Sequence, residues 1–160
     1  MRDVLDRVLG WIDGGRSVAL ATVVEVVRKA PRDAGTTMAV NDRGEIAGSV
    51  SGGCVEPAVV EVAQEVLATG QPRLVTFGIS DDQAFEVGLS CGGTIHVWVE
   101  AVSPGDPHGP DGAGAAGWGE AGAVRRGLSG PLLRRLASAV REGRAVALVR
   151  VLAAGDARPG

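Results

Sequence analysis

The stretch SVALATVVEVV, residues 17 to 27, is rich in β-branched side chains and almost unbroken in apolar character. A strand open to water on one side alternates polar and apolar residues, whereas a run like this one is suited to burial on both faces. It predicts a central strand, and the remainder of the chain has to supply what covers it. Upstream, Val4, Leu5, Val8, Leu9 and Ile12 recur at helical spacing with Arg2, Asp3, Asp6 and Arg7 on the other side, and Asp13-Gly14-Gly15 stops them. Downstream, TMAV and EIAGSV flank the turn residues Asn41 to Gly44 and read as a hairpin. Val55 to Thr69 carries Val59, Val60, Val62, Ala63, Val66 and Leu67 at helical spacing, with Pro57 in the first turn and Gly70 as the stop. RLVTFGI (73 to 79) reads as another strand. TIHVWVE (94 to 100) alternates, with Ile95, Val97 and Val99 on one face and Thr94, His96, Trp98 and Glu100 on the other, as a half-buried strand does. The expected class is α/β: a mixed β-sheet with helices packed on its faces.

With 160 residues, 45% of them apolar and 22% charged, the chain has the size of one globular domain plus an appendage. Aromatics make up 3%, so the core has to come from Val, Leu, Ile and Ala. A net charge of −3 and a pI near 5.4 argue against a nucleic-acid partner, which calls for a basic stripe. No apolar run is long enough for a membrane span or shaped like a signal peptide, so the expected location is the cytoplasm. In that reducing compartment Cys54 and Cys91 are expected as thiols or ligands, with a bridge between them left open.

Residues 103 to 129 are Gly, Pro and Ala with scattered charge and read as a flexible linker. After it, LLRRLASAVREGRAVALVRVL (132 to 152) lies without gaps over VLDRVLGWIDGGRSVALATVV (4 to 24), matching Gly15-Arg16 with Gly143-Arg144 and Val18-Ala19-Leu20 with Val146-Ala147-Leu148. The expected organisation is a domain over 1 to 102, a linker over 103 to 129 and a partial repeat of the opening helix-strand unit over 130 to 160. Either the natural chain continues past Gly160, or the partial copy docks a helix and a strand onto the first unit.

Chemistry concentrates in two loops. GSVSGGCVE (48 to 56) is a Gly-rich turn feeding a helix, where bare N–H groups at the positive end of the helix dipole favour an anion such as phosphate. It lacks the Lys-Ser/Thr of a P-loop and the spacing of a dinucleotide fingerprint. Its thiol, Cys54, sits where a thiolate is stabilised, suited to act as nucleophile, sulfur acceptor or soft-metal ligand; the bland reading is a small residue packing the turn. GLSCGG (88 to 93) echoes it, with Gly92 and Gly93 removing bulk beside Cys91. Two such loops holding both cysteines of the chain point to one shared site. Arg32, after Pro31 in the exposed loop RKAPRDAGT (28 to 36), is placed to meet an anionic group. His96 is a weaker candidate, His108 falls in the linker, and Asp81, Asp82 and Glu86 read as a solvated acidic loop. Two cysteines without a C-x-x-C spacing fall short of a zinc site.

GSVSGGCVE, GLSCGG followed by T-I-x-V, and APRDAGTTMAV together resemble the N-terminal domain of the XdhC/CoxI family, accessory factors of xanthine dehydrogenase and carbon monoxide dehydrogenase, over roughly residues 1 to 102. The resemblance implies a maturation factor rather than an enzyme. It would bind the molybdenum cofactor (molybdopterin) as a client, protect it while a cysteine desulfurase installs sulfur, and pass it to a molybdenum hydroxylase apoenzyme. It assigns the first motif to Gly48, Ser51, Gly52, Gly53, Cys54 and Glu56, the second to Gly88, Cys91, Gly92 and Gly93, and the Pro-Arg loop to Pro31, Arg32 and Gly35. On this reading Cys54 and Cys91 stand nearest the metal or its sulfur, and the backbone of 51 to 54 holds the phosphate. Many members continue into a Rossmann-type domain whose fingerprint this sequence lacks. Two other readings stand beside it: a cysteine-dependent enzyme or persulfide carrier using Cys54, and a cofactor-free module that docks the target dehydrogenase or pairs two copies of the chain as a homodimer.

Overall fold

A computed structural model describes residues 2–78, 93–102 and 128–146. Helix α1 (Arg2–Asp13) is followed by strands β1 (Val18–Val27), β2 (Thr37–Asn41) and β3 (Ile46–Gly48). Helix α2 (Glu56–Thr69), strands β4 (Arg73–Gly78) and β5 (Thr94–Ala101), and helix α3 (Gly130–Arg141) complete the elements. The five strands form one sheet in the order β3-β2-β1-β5-β4, so β1 is central, as its composition predicts. The α/β class stands, with one refinement: every pairing among the described residues is antiparallel, where a mixed sheet was expected.

The alternation of β5 sorts the two faces. Ile95, Val97 and Val99 join Ala19, Ala21 and Val23 of β1, Met38 and Val40 of β2, and Val75 and Phe77 of β4 beneath the inner side of α2, which contributes Val59, Val62, Ala63 and Val66. On the opposite face Val18, Leu20 and Ala39 meet Leu5, Val8 and Leu9 of α1, with Leu133 and Ala137 of α3 in the same cluster. The first half of β1 is thus buried from both sides because alternate residues serve different helices, while Glu25 and Val27 near its end are exposed. Trp98 and Glu100, expected on the open side of β5, are buried as well. The Trp98 indole N–H has no hydrogen-bond partner among the described residues.

Local chemistry closes the elements where the sequence placed the breaks. The Asn41 side-chain oxygen accepts from the N–H groups of Arg43 and Glu45 at 2.9 and 3.0 Å, while Gly44 takes φ 78°. Gly70 ends α2 in the left-handed region with φ 70°, its N–H donating to the Val66 carbonyl at 2.7 Å.

Strand direction decides where the loops emerge. β1, β3 and β4 run the same way, each antiparallel to β2 or β5, so their C-terminal ends lie at one end of the sheet. The loop after β1 is the Pro-Arg loop and the loop after β3 is GSVSGGC. The segment between β4 and β5 leaves at Gly78 and re-enters at Thr94, which pair with each other at that same end. β1 and β5 slip register between Val23 and Glu25, a bulge that bends β1 as it nears this end.

The packing predicts a sharp contrast within β4. Phe77 is fully buried and Leu74 is 50% exposed. Phe77→Ala is expected to cost about 3–5 kcal/mol in chemical denaturation, and Leu74→Ala no more than about 1 kcal/mol.

Candidate functional site

Gly48, Gly52 and Gly53 take φ of 82°, 82° and 117°, which coils residues 48 to 55 into a compact turn between β3 and α2. The centre of that turn is a side chain of the protein itself. The Glu56 carboxylate accepts from the N–H groups of Val50, Ser51, Gly52 and Gly53 at 3.1, 3.0, 3.2 and 2.9 Å, and from the hydroxyls of Ser49 and Ser51 at 2.6 and 2.5 Å. Ser51 Oγ in turn accepts from the N–H groups of Cys54 and Val55, both at 3.0 Å, and so ties the loop to the entrance of α2.

The expected anion hole is therefore real in its donors and filled from within. The N–H groups of 51 to 54, read from sequence as the place for a ligand phosphate, are directed at Glu56 or Ser51 instead. Burial alone would raise the pKa of Glu56, but the hydroxyls of Ser49 and Ser51 and the Ser51 N–H outweigh it and hold the carboxyl at about 2, against an ordinary 4.5. As the first residue of α2, Glu56 also lies at the positive end of the helix dipole. From sequence this glutamate was expected among the cofactor-binding residues of the motif, with Gly48, Ser51, Gly52, Gly53 and Cys54. The signal that reveals its role in the loop is the spacing S-x-S-G-G-x-x-E, a capping-box logic run backwards into the preceding loop.

With its backbone fixed, the loop leaves Gly52 and Gly53 exposed, and Cys54 half-buried beside them. Cys54 packs against the core beneath α2, and so does Ala30 of the Pro-Arg loop. A side chain grown on Gly52 would find Pro31 as its nearest neighbour, at 3.9 Å. Gly93 touches the same loop: a Cβ there would lie 1.9 Å from the Lys29 carbonyl oxygen. The Pro-Arg loop is therefore a neighbour of both the first cysteine motif and the last glycine of the second. Arg28, which enters it, is the one non-glycine residue at positive φ among the described residues, at 67°. Pro31, Arg32 and Gly35 are exposed as expected.

Gly88, Cys91 and Gly92 lie outside the described residues, as do Asp81, Asp82, Glu86 and His108. Among the described residues no three His, Cys, Asp or Glu side chains gather as metal ligands. His96 does not line the Cys54 loop. It alternates with Ile95 and Val97 onto the other face of the sheet, with Nδ1 2.9 Å from Thr76 Oγ1 and Nε2 3.8 Å from Glu25 Oε2.

Residues 11–78, which include the first Gly-rich loop and all of the Pro-Arg loop, match the XdhC and CoxI family. These residues belong to that family. The chain is similar to the molybdenum cofactor insertion chaperone PaoD of Escherichia coli, at 32% identity over 106 residues, 66% of this chain and 33% of the relative. It is also similar to a probable xanthine dehydrogenase subunit of Bacillus subtilis, at 33% identity over 97 residues, 58% of this chain and 28% of the relative. Among solved structures, a Bacillus halodurans chain described as a xanthine dehydrogenase aligns with a TM-score of 0.51 and 32% identity, over 63% of this chain and 30% of its own. The chain thus spans about a third of the length of the relatives it matches.

Two outcomes follow for the loops at this end of the sheet. Because the Glu56 pKa is lowered, its stabilising contribution is complete above about pH 4.5 and is lost as pH falls toward 2. Glu56→Gln should lower stability at pH 7 by roughly 2 kcal/mol and flatten the acid limb of the melting temperature between about pH 5 and pH 2. The glycines should separate by environment. Gly52→Ala makes only an ordinary contact with Pro31 and costs about 1–2 kcal/mol of backbone strain, whereas Gly93→Ala overlaps the Lys29 backbone and should cost more than that in the same denaturation assay.

Proposed function

We propose that this chain binds the molybdenum cofactor as cargo and assists its insertion into a molybdenum hydroxylase of the xanthine dehydrogenase type. The observation that carries the proposal is the likeness to a molybdenum cofactor insertion chaperone. The likeness to a xanthine dehydrogenase subunit supports it, as does the convergence of the first Gly-rich loop, the Pro-Arg loop and Gly93 at one end of the sheet. The finer reading includes carbon monoxide dehydrogenase as an alternative client enzyme, sulfuration of the held cofactor by a cysteine desulfurase, and a cytoplasmic setting. No helix among the described residues is long and apolar enough to cross a membrane.

The residues present fit such a cargo in a revised way. Molybdopterin carries a phosphate and a soft, sulfur-ligated metal. The soft partner in this reading is Cys54, half-buried between an exposed Gly-Gly and the entrance of α2, together with Cys91, which stands two residues before Gly93 in the chain. The phosphate falls to Arg32 of the intervening loop, because the N–H groups of 51 to 54 are engaged and a second anion beside Glu56 would be repelled. Glu56, Ser51 and Gly48 serve the site by shaping the loop, without touching the cargo. The bound cofactor supplies the metal and its terminal sulfur; the chain orients it and shields it from water.

The experiment is co-purification from cells that make molybdopterin, with bound cofactor quantified after oxidation to its fluorescent derivative. The wild type should retain cofactor, Cys54→Ala and Cys91→Ala should each lose most of it, and Arg32→Ala should weaken retention in a salt-dependent way. Equal cofactor in wild type and both cysteine variants, or none in all three, contradicts the proposal.

A further inference from the structure

α1 and α3 correspond position by position. When Val4 is laid on Leu132, the two helices begin and end at matched positions, Arg2–Asp13 and Gly130–Arg141. They are closed by the same three bonds. The N–H groups of Gly14, Gly15 and Arg16 donate to the carbonyls of Gly10, Ile12 and Trp11 at 3.0, 3.0 and 2.9 Å. The matched Glu142, Gly143 and Arg144 donate to Ser138, Val140 and Ala139 at 2.9, 3.2 and 2.9 Å. Gly15 and Gly143 hold φ of 73° and 70°. Three of the four buried residues of α1 match buried residues of α3, Leu5, Leu9 and Trp11 with Leu133, Ala137 and Ala139, while the buried Val8 matches the half-buried Leu136.

A glycine-closed helix end is common, and by itself this similarity would mean little. The way the helices meet adds an independent observation. Asp13 Oδ1 lies 2.6 Å from Arg134 Nη1, and Asp6 pairs with Arg141 through Oδ1 and Nη2. In the same correspondence Asp6 matches Arg134, and Asp13 matches Arg141. The two ion pairs are thus a single contact made twice with the roles exchanged, which is the pattern of an isologous, two-fold interface.

We infer that α3 is a second copy of α1, docked on it across a local two-fold axis, and that the charges at the two matched positions restrict α1 to this partner. In the same geometry, α1 against α1 of another molecule would set Asp6 opposite Asp13 twice. α3 against α3 would set Arg134 opposite Arg141 twice. The observed pairing alone joins unlike charges at both ends. The apolar seam between the helices, where Leu5 lies near Ala137 and Val140, does not make that distinction. The surface is an apolar helix face with an acidic edge, and its occupant is the basic-edged helix of the same chain.

Amide hydrogen exchange on the full chain tests this, with α2 as the internal reference. Asp6→Arg together with Asp13→Arg should reduce protection of α3 roughly five- to thirty-fold and leave α2 unchanged. The fourfold exchange that adds Arg134→Asp and Arg141→Asp should restore it. In the unaltered protein, raising NaCl from about 0.05 M to about 1 M should lower α3 protection relative to α2, because all four side chains are half exposed. Unchanged α3 protection on charge reversal, failure of the fourfold exchange to restore it, or no response to salt would each overturn the inference.

Discussion

A single carboxylate organises the end of the sheet on which the functional reading depends. Glu56 reaches back from the first position of α2 and satisfies four backbone N–H groups and two hydroxyls of the preceding loop. Without it, a turn containing Gly52 and Gly53 would be among the least ordered parts of the chain, since glycine loses the most backbone freedom on folding. With it, the loop has one geometry, and Cys54 is held at a defined place beside the helix entrance. The carboxylate gains from the same arrangement: donors that converge on it favour its charged form, which is why its pKa falls despite partial burial.

The second constraint is direction. An antiparallel sheet sends neighbouring strands opposite ways, so alternate strands deliver their loops to the same end. β1, β3 and β4 stand at alternate places in the order β3-β2-β1-β5-β4, and they carry the Pro-Arg loop, the Gly-rich loop and the connection toward GLSCGG. The Pro-Arg loop, the first Gly-rich loop and Gly93, far apart in sequence, thereby reach one end of the sheet without any need for local spacing. Gly93 is required there because the Lys29 backbone lies where a side chain would be. Gly48 is required for the same reason, since a Cβ there would meet the Thr37 carbonyl oxygen, whereas Gly52 and Gly53 serve the turn through their positive φ.

Much of this was legible in the sequence, for identifiable reasons. The β-branched run of β1, the alternation of Ile95, Val97 and Val99, and the stops at Gly15 and Gly70 are local signals, and the elements follow them closely. The family resemblance rested on residues that the XdhC and CoxI match largely covers. The purely antiparallel pairing was less visible, since strand direction depends on long-range contacts that no local pattern encodes. The role of Glu56 was missed because bare N–H groups at a helix start suggest an external anion, and the acidic residue that fills the hole lies inside the helix it serves. His96 was placed on the correct face of its strand, but that face is turned away from the Cys54 loop.

The claim that Glu56 is the internal anion of the Gly-rich loop is tested most directly by a carboxyl-carbon NMR titration of the folded protein. The structure predicts a Glu56 midpoint at about 2, far below the ordinary 4.5, with the amide resonances of Ser51, Gly52 and Gly53 shifting in the same transition. A midpoint near 4.5, or loop amides that do not respond to it, would show that the loop is not built around this carboxylate.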